Sequence, residues 1–219
     1  MPYLQQSAID VKINQSDSIK RNRKRAAIHL HSSQLITTAI SNTQSEDRQE
    51  LEQFIHDTFK RTYDADICSF MPQLMSLRDV NGELLAVCGL RHAHHGKLFL
   101  ENYLDTPIET VLAQHFNESI SRESILEIGN LAVANPASTR SLLSSVSVYL
   151  HGTNSEWAVF TGIPALRNSL TKLNMRIEKL GDASISCLPE HERRAWGNYY
   201  DEKPEIMSIH RMPQAVIGV

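Results

Sequence analysis

A short hydroxylic segment followed by an arginine is the first feature of the chain with chemical potential. Ser138, Thr139 and Arg140 come directly after Asn135 and Pro136, where an apolar run ends and a helical pattern begins. Asparagine caps helices and proline suits the first helical position, so a helix is expected to start here. Free N–H groups, hydroxyls and a guanidinium at such a start bind phosphate or pyrophosphate. The alternative is that Ser and Thr only favour the helix start and Arg140 is solvated.

A second candidate is the carboxylate of Glu127, which stands in an otherwise apolar run from Ile125 to Val133. The run is too short for a typical helix and is bounded by a turn signal, so it predicts a buried strand. Burial raises the pKa of a carboxylate, and Glu127 would then accept a proton near neutral pH. The alternative is a structural salt bridge, with Arg91 as the candidate partner.

Glu127 and the segment Ser138 to Arg140 can only be positioned in this way if a strand leads directly into a helix. The hydrophobic pattern predicts this pair and the elements around it. In chain order we expect an extended segment at 26–36, a helix at 45–63, strands at 73–79 and 83–90 joined at Asn81-Gly82, a strand at 98–104, a helix at 106–116 that starts with a Thr106 and Glu109 capping box, the strand at 125–133 with its helix, a parallel strand at 156–161, a helix from Pro164 with a cap at Asn174, a strand at 175–180, a helix from Pro189 and a strand at 205–210.

Composition limits the domain organisation and the partners. A chain of 219 residues that is 41% hydrophobic and 21% charged builds one substantial core, so we expect one domain over 26–219 and a flexible arm at 1–25. Five basic residues between positions 20 and 25 make this arm a candidate for contact with a membrane surface or an acidic carrier protein, or else a solvated tail. A net charge of −3 gives no reason to expect nucleic acid as a partner.

Cysteine and histidine usage bears on the compartment and on metals. The three cysteines are scattered without a CxxC pair, which fits a reducing compartment. No apolar signal-peptide core precedes or follows the basic residues, so the cytoplasm is expected. The histidines at 92, 94 and 95 crowd one turn without an acidic or thiol partner at ligand spacing, so no metal site is predicted.

The order of the predicted elements resembles the GNAT acyltransferase fold, an α/β (α+β mixed sheet) architecture. In that fold the sheet splays at its fourth strand, and the next helix takes the pyrophosphate of coenzyme A on its N-terminus. The resemblance implies acyl-CoA or acyl carrier protein as a co-substrate, with no tightly bound cofactor. Two positions depart from the pattern: residues 134–139 replace the glycine-rich pyrophosphate loop, and the tyrosine that often protonates the departing thiolate falls at Leu170. Ordinary acetyl-CoA chemistry is therefore not expected.

Five sequence blocks resemble the thermostable hemolysin family more specifically. They are GLR at 89–91, LFLENYLDTPIE at 98–109, EIGNLAV at 127–133, WAVFTGIPALRN at 157–168 and WGNYY at 196–200. That family is similar in turn to the acyl-homoserine lactone synthases. The arginine that these synthases carry at the end of the antiparallel strand meander corresponds to Arg91, and the glutamate on their splayed strand corresponds to Glu127. Their acidic residues after the first helix correspond to Asp64 and Asp66, whereas Asn130 stands where they carry a further arginine. The resemblance implies transfer of an acyl group from a thioester to a small amine, giving an amphiphilic product.

Such a transfer needs a base for the amine and a donor for the tetrahedral oxyanion. Glu127 is the predicted base with Arg91 beside it, and Glu101 is a second candidate whose alternative is simple surface exposure. Asn130, or backbone N–H groups beside the splayed strand, are the predicted oxyanion donors. The remaining predictions are donor binding by Ser138, Thr139, Arg140, Arg167 and Asn168, and substrate binding by Asp64, Asp66, Asn130 and Thr161.

Two other classes stay open at this point. A protein that acts directly on membranes needs an exposed amphipathic segment, and the most apolar helix, from Leu142 to Leu150, is short and fits a core. A noncatalytic GNAT-like binding protein would also lack the glycine loop and the tyrosine, but it would have no use for Glu127 and Arg91.

Overall fold

The computed structural model describes residues 36–172 and 175–211, which build a seven-stranded mixed sheet. The strand order is β1-β2-β3-β4-β5-β7-β6, and β4 and β5 run parallel while the other neighbouring strands are antiparallel. The strands are β1 Thr37–Ser41, β2 Gln73–Arg78, β3 Leu84–His92, β4 Ile125–Val133, β5 Trp157–Gly162, β6 Glu178–Asp182 and β7 Glu205–His210; the helices are α1 Arg48–Tyr63, α2 Ile108–Phe116, α3 Pro136–Gly152, α4 Pro164–Lys172 and α5 Glu190–Arg193.

Most of the predicted elements are confirmed. The central strand and its helix form as expected, and Asn135 caps α3 through its side chain with Pro136 in the first turn. The hairpin, the parallel strand and the closing strand are also present. Helix α1 begins three residues later than predicted, at Arg48, and β6 begins at Glu178 rather than 175. The arm at 1–25, the extended segment at 26–36 except for its last residue, and the cap at Asn174 lie outside the described residues.

The prediction of a strand at 98–104 is wrong, because these residues form a turn with a 3-10 helix at Leu100–Tyr103. Their apolar side chains do enter the core, but the backbone N–H groups of residues 98 to 100 donate to carboxylates instead of a neighbouring strand. The Thr106 and Glu109 capping box is also wrong. Glu101 accepts the first N–H of α2, and the Glu109 carboxylate binds Arg122 instead.

Helices cover both faces of the sheet. Helices α1 and α2 pack on the face that carries Glu127, while α3 and α4 pack on the opposite face. Alternation along β4 places Leu126 and Ile128 toward α3, and Ile125 and Glu127 toward α2. The candidate base and the candidate anion site therefore lie on opposite faces of the same strand.

A gap opens in the sheet between β4 and β5. Their parallel ladder ends at the pair Ile128 and Phe160, although the strands continue to Val133 and Gly162. Opposite the gap, β4 carries one extra residue against β3, because Val87 pairs with Ala132 and Gly89 already pairs with Gly129. This bulge bends β4 away from β5 and leaves its backbone beyond Ile128 without a strand partner on that side. The gap matches the splay that the GNAT resemblance implies.

The WGNYY segment closes over the end of α1. The N–H of Asn198 donates to the carbonyl of Tyr63 at 2.9 Å, and the N–H of Asp66 donates to the carbonyl of Ala195 at 2.7 Å. Gly197 has a φ of +52°, and a Cβ built on it would lie 2.1 Å from the Tyr63 carbonyl oxygen. Only glycine fits both the backbone angle and this close approach.

Among residues 36–172 and 175–211, none of the helices combines the length and the hydrophobicity that a membrane span requires.

Replacing Gly197 with alanine tests the contact between the WGNYY segment and α1. Gly82 is a matched control, since its φ is +85° but a Cβ there meets nothing within 4 Å. We expect Gly82→Ala to lower the free energy of unfolding by roughly 1 to 2 kcal/mol through backbone strain alone. Gly197→Ala should lose at least about 2 kcal/mol more, because the clash forces the two segments apart. Urea denaturation followed by circular dichroism measures both; equal losses would contradict the packing of the two segments.

Candidate functional site

Glu127 is a buried carboxylate that is held by the backbone of a turn. It is 2% exposed, and its Oε1 and Oε2 accept the N–H groups of Leu100 at 2.8 Å and Phe99 at 3.0 Å. Burial raises the pKa of Glu127 above its ordinary value, while these two N–H groups and the charge of Arg91 act in the opposite direction. A carboxyl with a raised pKa inside a protein is suited to proton transfer near neutral pH.

Arg91 faces Glu127 across β3 and β4, where the two residues are register partners. Its guanidinium donates to the carbonyl of Lys97 at 3.1 Å, and among the described residues the ion pairs include none between Arg91 and Glu127. The salt-bridge alternative for Glu127 is therefore wrong as a direct contact. Arg91 acts on Glu127 as a nearby positive charge.

Glu101 is buried, so the alternative of surface exposure is wrong. It is 9% exposed, and its carboxylate accepts the N–H groups of Leu98 at 2.8 Å and Ile108 at 3.0 Å. Burial opposes ionisation of Glu101, but the Arg122 guanidinium and these two N–H groups outweigh it and lower the pKa. A carboxylate with a lowered pKa and saturated oxygens is a weak base, which makes Glu101 less suited than Glu127 to take up a proton.

Arg122 is a residue that the sequence analysis missed. It lies just before β4 in the 3-10 turn Arg122–Ser124 and binds both Glu101 at 2.7 Å and Glu109 at 2.6 Å. Its partners are 21 and 13 residues away, and no motif connects them. The available signal was weak: a lone arginine directly in front of the strand that carries the candidate base.

Asn130 lies in the bulge of β4 with a φ of +46°. Its Oδ1 accepts the N–H of Met71 at 3.0 Å, and its Nδ2 donates to the carbonyl of Ser69 at 3.2 Å. The Met71 side chain packs over Gly129, beside Glu127 on the same face. The Asn130 amide thus fixes one wall of the site, which leaves backbone N–H groups at the gap as the better candidates for the oxyanion donor.

The start of α3 is partly occupied by its own cap. Asn135 Oδ1 accepts the N–H groups of Ala137 at 3.0 Å and Ser138 at 3.2 Å, and the Ser138 hydroxyl also donates to it at 3.3 Å. The expectation that the Ser138 amide is free is therefore wrong. Thr139 is half-buried and Arg140 is exposed, so Arg140 is the side chain of this segment that is open to a ligand.

The start of α4 stands at the same edge of the sheet, after the carboxyl end of β5. Arg167 is paired with Glu205 at 2.8 Å, and Asn168 is exposed. Leu170, at the position of the thiolate-protonating tyrosine in the resemblance, is 1% exposed and packs in the core. Carboxyl ends of parallel strands are the usual place for ligands in mixed α/β sheets.

Asp64 and Asp66 lie at the end of α1 and are mostly exposed. Asp64 is the left-handed cap of the helix and pairs with Lys60 at 2.7 Å, and Asp66 binds His56 at 2.8 Å. The hydrogen bond to His56 lowers the pKa of Asp66. Neither carboxylate contacts Glu127 among the described hydrogen bonds and ion pairs.

Aromatic rings connect this end of α1 with the turn over Glu127. Tyr63 contacts Tyr199 at a ring distance of 5.1 Å, and Trp196 contacts Phe99 at 5.6 Å. The Tyr103 hydroxyl binds that of Tyr200. Tyr199 is buried and the other five rings are partly exposed, and together they give the Glu127 side of the sheet an apolar wall.

Thr161 lies on β5 two residues beyond Val159, the register partner of Glu127, and on the same face. Its Oγ1 is buried and has no hydrogen-bond partner among the described residues. Buried hydroxyls are normally paired, so this one is suited to a polar group of a ligand. The structure thus brings Glu127, Arg91 and Thr161 to one face near the gap, and leaves Arg140 and Asn168 on the other.

The mixed sheet with its gap and the four flanking helices define the GNAT-like fold of N-acyltransferases. The AHL synthase LasI has this fold with 12% identity and a TM-score of 0.55, covering 84% of this chain and 94% of LasI. FeeM, an N-acyl amino acid synthase from uncultured soil microbes, is 10% identical with a TM-score of 0.51 over 80% of this chain and 90% of its own. MesI, a CoA-dependent acyl-homoserine lactone synthase, is 11% identical with a TM-score of 0.51 over 82% and 91%.

The chain belongs to the thermostable hemolysin family, whose sequence profile matches residues 41–214. A comparison with curated protein sequences finds no match.

Asn130 provides a test of the wall beside Glu127. Asn130→Gly removes both hydrogen bonds and leaves the Met71 N–H unpaired, which costs about 1 to 3 kcal/mol. Asn130→Ala adds left-handed strain and should be less stable by roughly a further 1 kcal/mol. The matched control is Asn117→Gly, at a helix end with a φ of +56°, where glycine is favoured and stability should hardly change. Chemical denaturation measures the free energy of unfolding of the three variants. If Asn117→Gly lost as much stability as Asn130→Gly, the Asn130 hydrogen bonds to Met71 and Ser69 would not be what stabilises this wall.

Proposed function

We propose that this protein is an N-acyltransferase that moves an acyl group from a thioester donor to a small amine. The observation that carries the proposal is the buried Glu127 carboxylate, with its raised pKa, one residue before the β4 and β5 ladder opens. The fold supports it at the level of class, since LasI, FeeM and MesI are named as synthases of acylated amines. Donor and acceptor are finer parts of the same proposal.

In this reaction the amine nitrogen attacks the thioester carbonyl, a C–N bond forms, and the C–S bond breaks. Glu127 takes the proton that the amine loses, and the thiolate leaves with a proton from Glu127 or from solvent. Backbone N–H groups of β4 at the gap are suited to the oxyanion, because the strand has no partner there beyond Ile128. The gap joins the two faces, so a donor held near α3 and α4 reaches the side where Glu127 lies.

The donor in this proposal is an acyl-CoA or an acyl carrier protein, with the phosphate of its arm near Arg140 and Asn168. The acceptor lies on the Glu127 face, where Thr161 offers an unpaired hydroxyl and the carboxylates of Asp64 and Asp66 attract a cationic amine. The three free thiols of Cys68, Cys88 and Cys187 support a cytoplasmic reaction as part of the proposal.

The family name describes lysis, and the proposed chemistry accounts for it without a membrane-acting polypeptide. An amine that carries an acyl chain has an apolar tail and a polar head, so it is amphiphilic and disrupts bilayers. Lysis would then follow the product, and lipid-free protein alone would leave red cells intact.

Glu127→Gln tests the base. General-base assistance typically contributes a factor of about 100 to 10,000, so the rate of product formation should fall by that much. The structure adds a second effect: glutamine has one acceptor oxygen where Phe99 and Leu100 need two, so stability should fall by about 1 to 3 kcal/mol. Mass spectrometry of reactions with acyl-CoA or acyl carrier protein and amines measures the product, and red-cell lysis is assayed on the same samples.

The control is Glu178→Gln, which removes an exposed carboxylate from the edge strand β6 and should leave both product and lysis unchanged. If lipid-free Glu127→Gln protein lyses cells as well as the unmodified protein does, the enzyme proposal fails and a direct action on membranes replaces it.

Arg140→Ala tests the donor site. One charge-assisted contact to phosphate is worth about 1.5 to 3 kcal/mol, so donor affinity should fall by about ten- to a hundredfold. Arg61→Ala removes the same charge from an exposed position on α1, on the opposite face, and should leave affinity unchanged. Titration calorimetry with an acyl-CoA and with acyl carrier protein measures both; unchanged binding of both donors to Arg140→Ala would remove the site from α3.

A further inference from the structure

Arg122 uses every hydrogen-bond donor that a guanidinium has. Its Nε donates to the carbonyl of Ala93 at 2.9 Å, and its Nη2 donates to the carbonyl of Gly96 at 2.7 Å and to Glu101 Oε2 at 3.0 Å. Its Nη1 donates to Glu101 Oε1 at 2.7 Å and Glu109 Oε2 at 2.6 Å. A guanidinium has five N–H donors in a fixed fork, so this side chain has one geometry only.

Glu101 connects the fixed Arg122 guanidinium to the backbone of the turn. While both of its oxygens are held by Arg122, they also accept the N–H groups of Leu98 and Ile108. The next two N–H groups of the turn, from Phe99 and Leu100, go to Glu127. Three consecutive backbone donors are thus shared by two buried carboxylates, and one of the two is locked from outside by Arg122.

We propose that Arg122, acting through Glu101, is a positioning residue that holds the turn of residues 98–103 closed over the Glu127 carboxylate. The inference rests on the proposed function in one respect, namely that Glu127 is the base. The remaining links are contacts: a fully bonded guanidinium, a buried carboxylate, and a turn whose backbone covers a second buried carboxylate.

Lysine does not replace arginine in this arrangement. Its three donors radiate from one nitrogen, so it does not span two carbonyls and two carboxylates that lie around a planar fork. Arg122→Lys keeps the charge near Glu101 and Glu109 but releases the turn. This variant therefore separates the geometry of the contact from its charge.

Opening of the turn changes the proton affinity of Glu127 in a defined direction. The groups that face Glu127 are Arg91 from β3, and Glu101 and Tyr103 from the turn, while its partner on β5 is the apolar Val159. Burial is the largest influence and raises the pKa, and it exceeds the opposing effect of the N–H groups and Arg91. Release removes burial and the N–H bonds together, so the pKa of Glu127 must fall toward that of an exposed carboxyl.

The experiment compares Arg122→Lys with a matched control, Arg78→Lys. Arg78 also holds a glutamate in a bidentate pair, Glu50 at 2.6 and 2.9 Å, and a backbone carbonyl, that of Gly82 at 2.9 Å, at the β2 and β3 hairpin. Amide exchange of residues 98 to 100 is measured by NMR, the Glu127 titration by carboxyl ¹³C shifts, and the pH dependence of kcat/KM by acyl transfer.

In Arg122→Lys we expect exchange of these amides to accelerate at least tenfold, and the Glu127 pKa and the acid limb of the pH profile to move to lower pH. The kcat should fall at least tenfold, while the KM for the acyl donor stays unchanged, because the donor binds toward α3 and α4. Arg78→Lys should show none of these changes. If Arg122→Lys does not fold, Glu101→Gln is measured in its place, with the same expected loosening of the turn.

Unchanged amide exchange in Arg122→Lys would overturn the inference, since the turn would not depend on Arg122. Faster amide exchange with a Glu127 pKa that stays the same or rises would also overturn the inference, because the turn would then not be what excludes water from Glu127. If the unmodified protein transfers no acyl group, the proposed function fails, while the exchange rates and the Glu127 titration still decide the role of Arg122.

Discussion

A carboxylate inside an apolar sheet must find hydrogen-bond donors, and Glu127 finds them in the backbone of the 98–103 turn. This requirement explains why residues 98–104 are not a strand: their N–H groups are needed by two carboxylates. It also explains why a second glutamate, Glu101, is buried beside the first, since the turn needs a support of its own. Glu101 itself needs Arg122, because a buried carboxylate without a cation or hydrogen-bond donors would be protonated or exposed.

The parts of this arrangement that depend on neighbouring residues were predictable from the sequence. The strand that carries Glu127, the Asn135 cap and α3 lie within one short stretch, and hydrophobic spacing with turn chemistry specifies them. The failures have long-range causes. The amides of residues 99 and 100 are bonded to an acceptor 28 and 27 positions away, and the periodicity of their own segment holds no trace of it. The contacts of Arg122 and the two hydrogen bonds of the Asn130 side chain were not predicted for the same reason, since each side chain binds backbone groups that are distant in the sequence.

In the proposed function, the gap between β4 and β5 is the place where the two halves of the candidate site meet. Glu127 sits on the face of α1 and α2, and Arg140 sits at the start of α3 on the other face, so neither half reaches the other through the closed part of the sheet. The bulge at Asn130 separates the strands just beyond Ile128. The proposed reaction would bring donor and acceptor from the two faces to the part of β4 that has no partner strand on the β5 side beyond Ile128. Leu170 is buried in the core and carries no proton to donate, so in the proposed reaction the thiolate would be protonated by Glu127 or by solvent.

The same packing bears on the lysis that the family is named for. Helix α3, which contains the Leu142 to Leu150 segment, has Leu142, Val146 and Leu150 buried against the sheet. Detaching α3 to place these side chains in a bilayer would expose to water the sheet residues that they cover, among them Met75, Leu90 and Leu126. Burying a side chain of this size contributes about 1.5 to 3 kcal/mol, so exposing three of them loses roughly 4 to 9 kcal/mol of folding free energy. That loss is comparable to the whole stability of a typical domain, about 5 to 15 kcal/mol. Insertion of α3 would thus unfold the sheet that carries Glu127, whereas lysis by the amphiphilic product of the proposed reaction would leave the sheet intact.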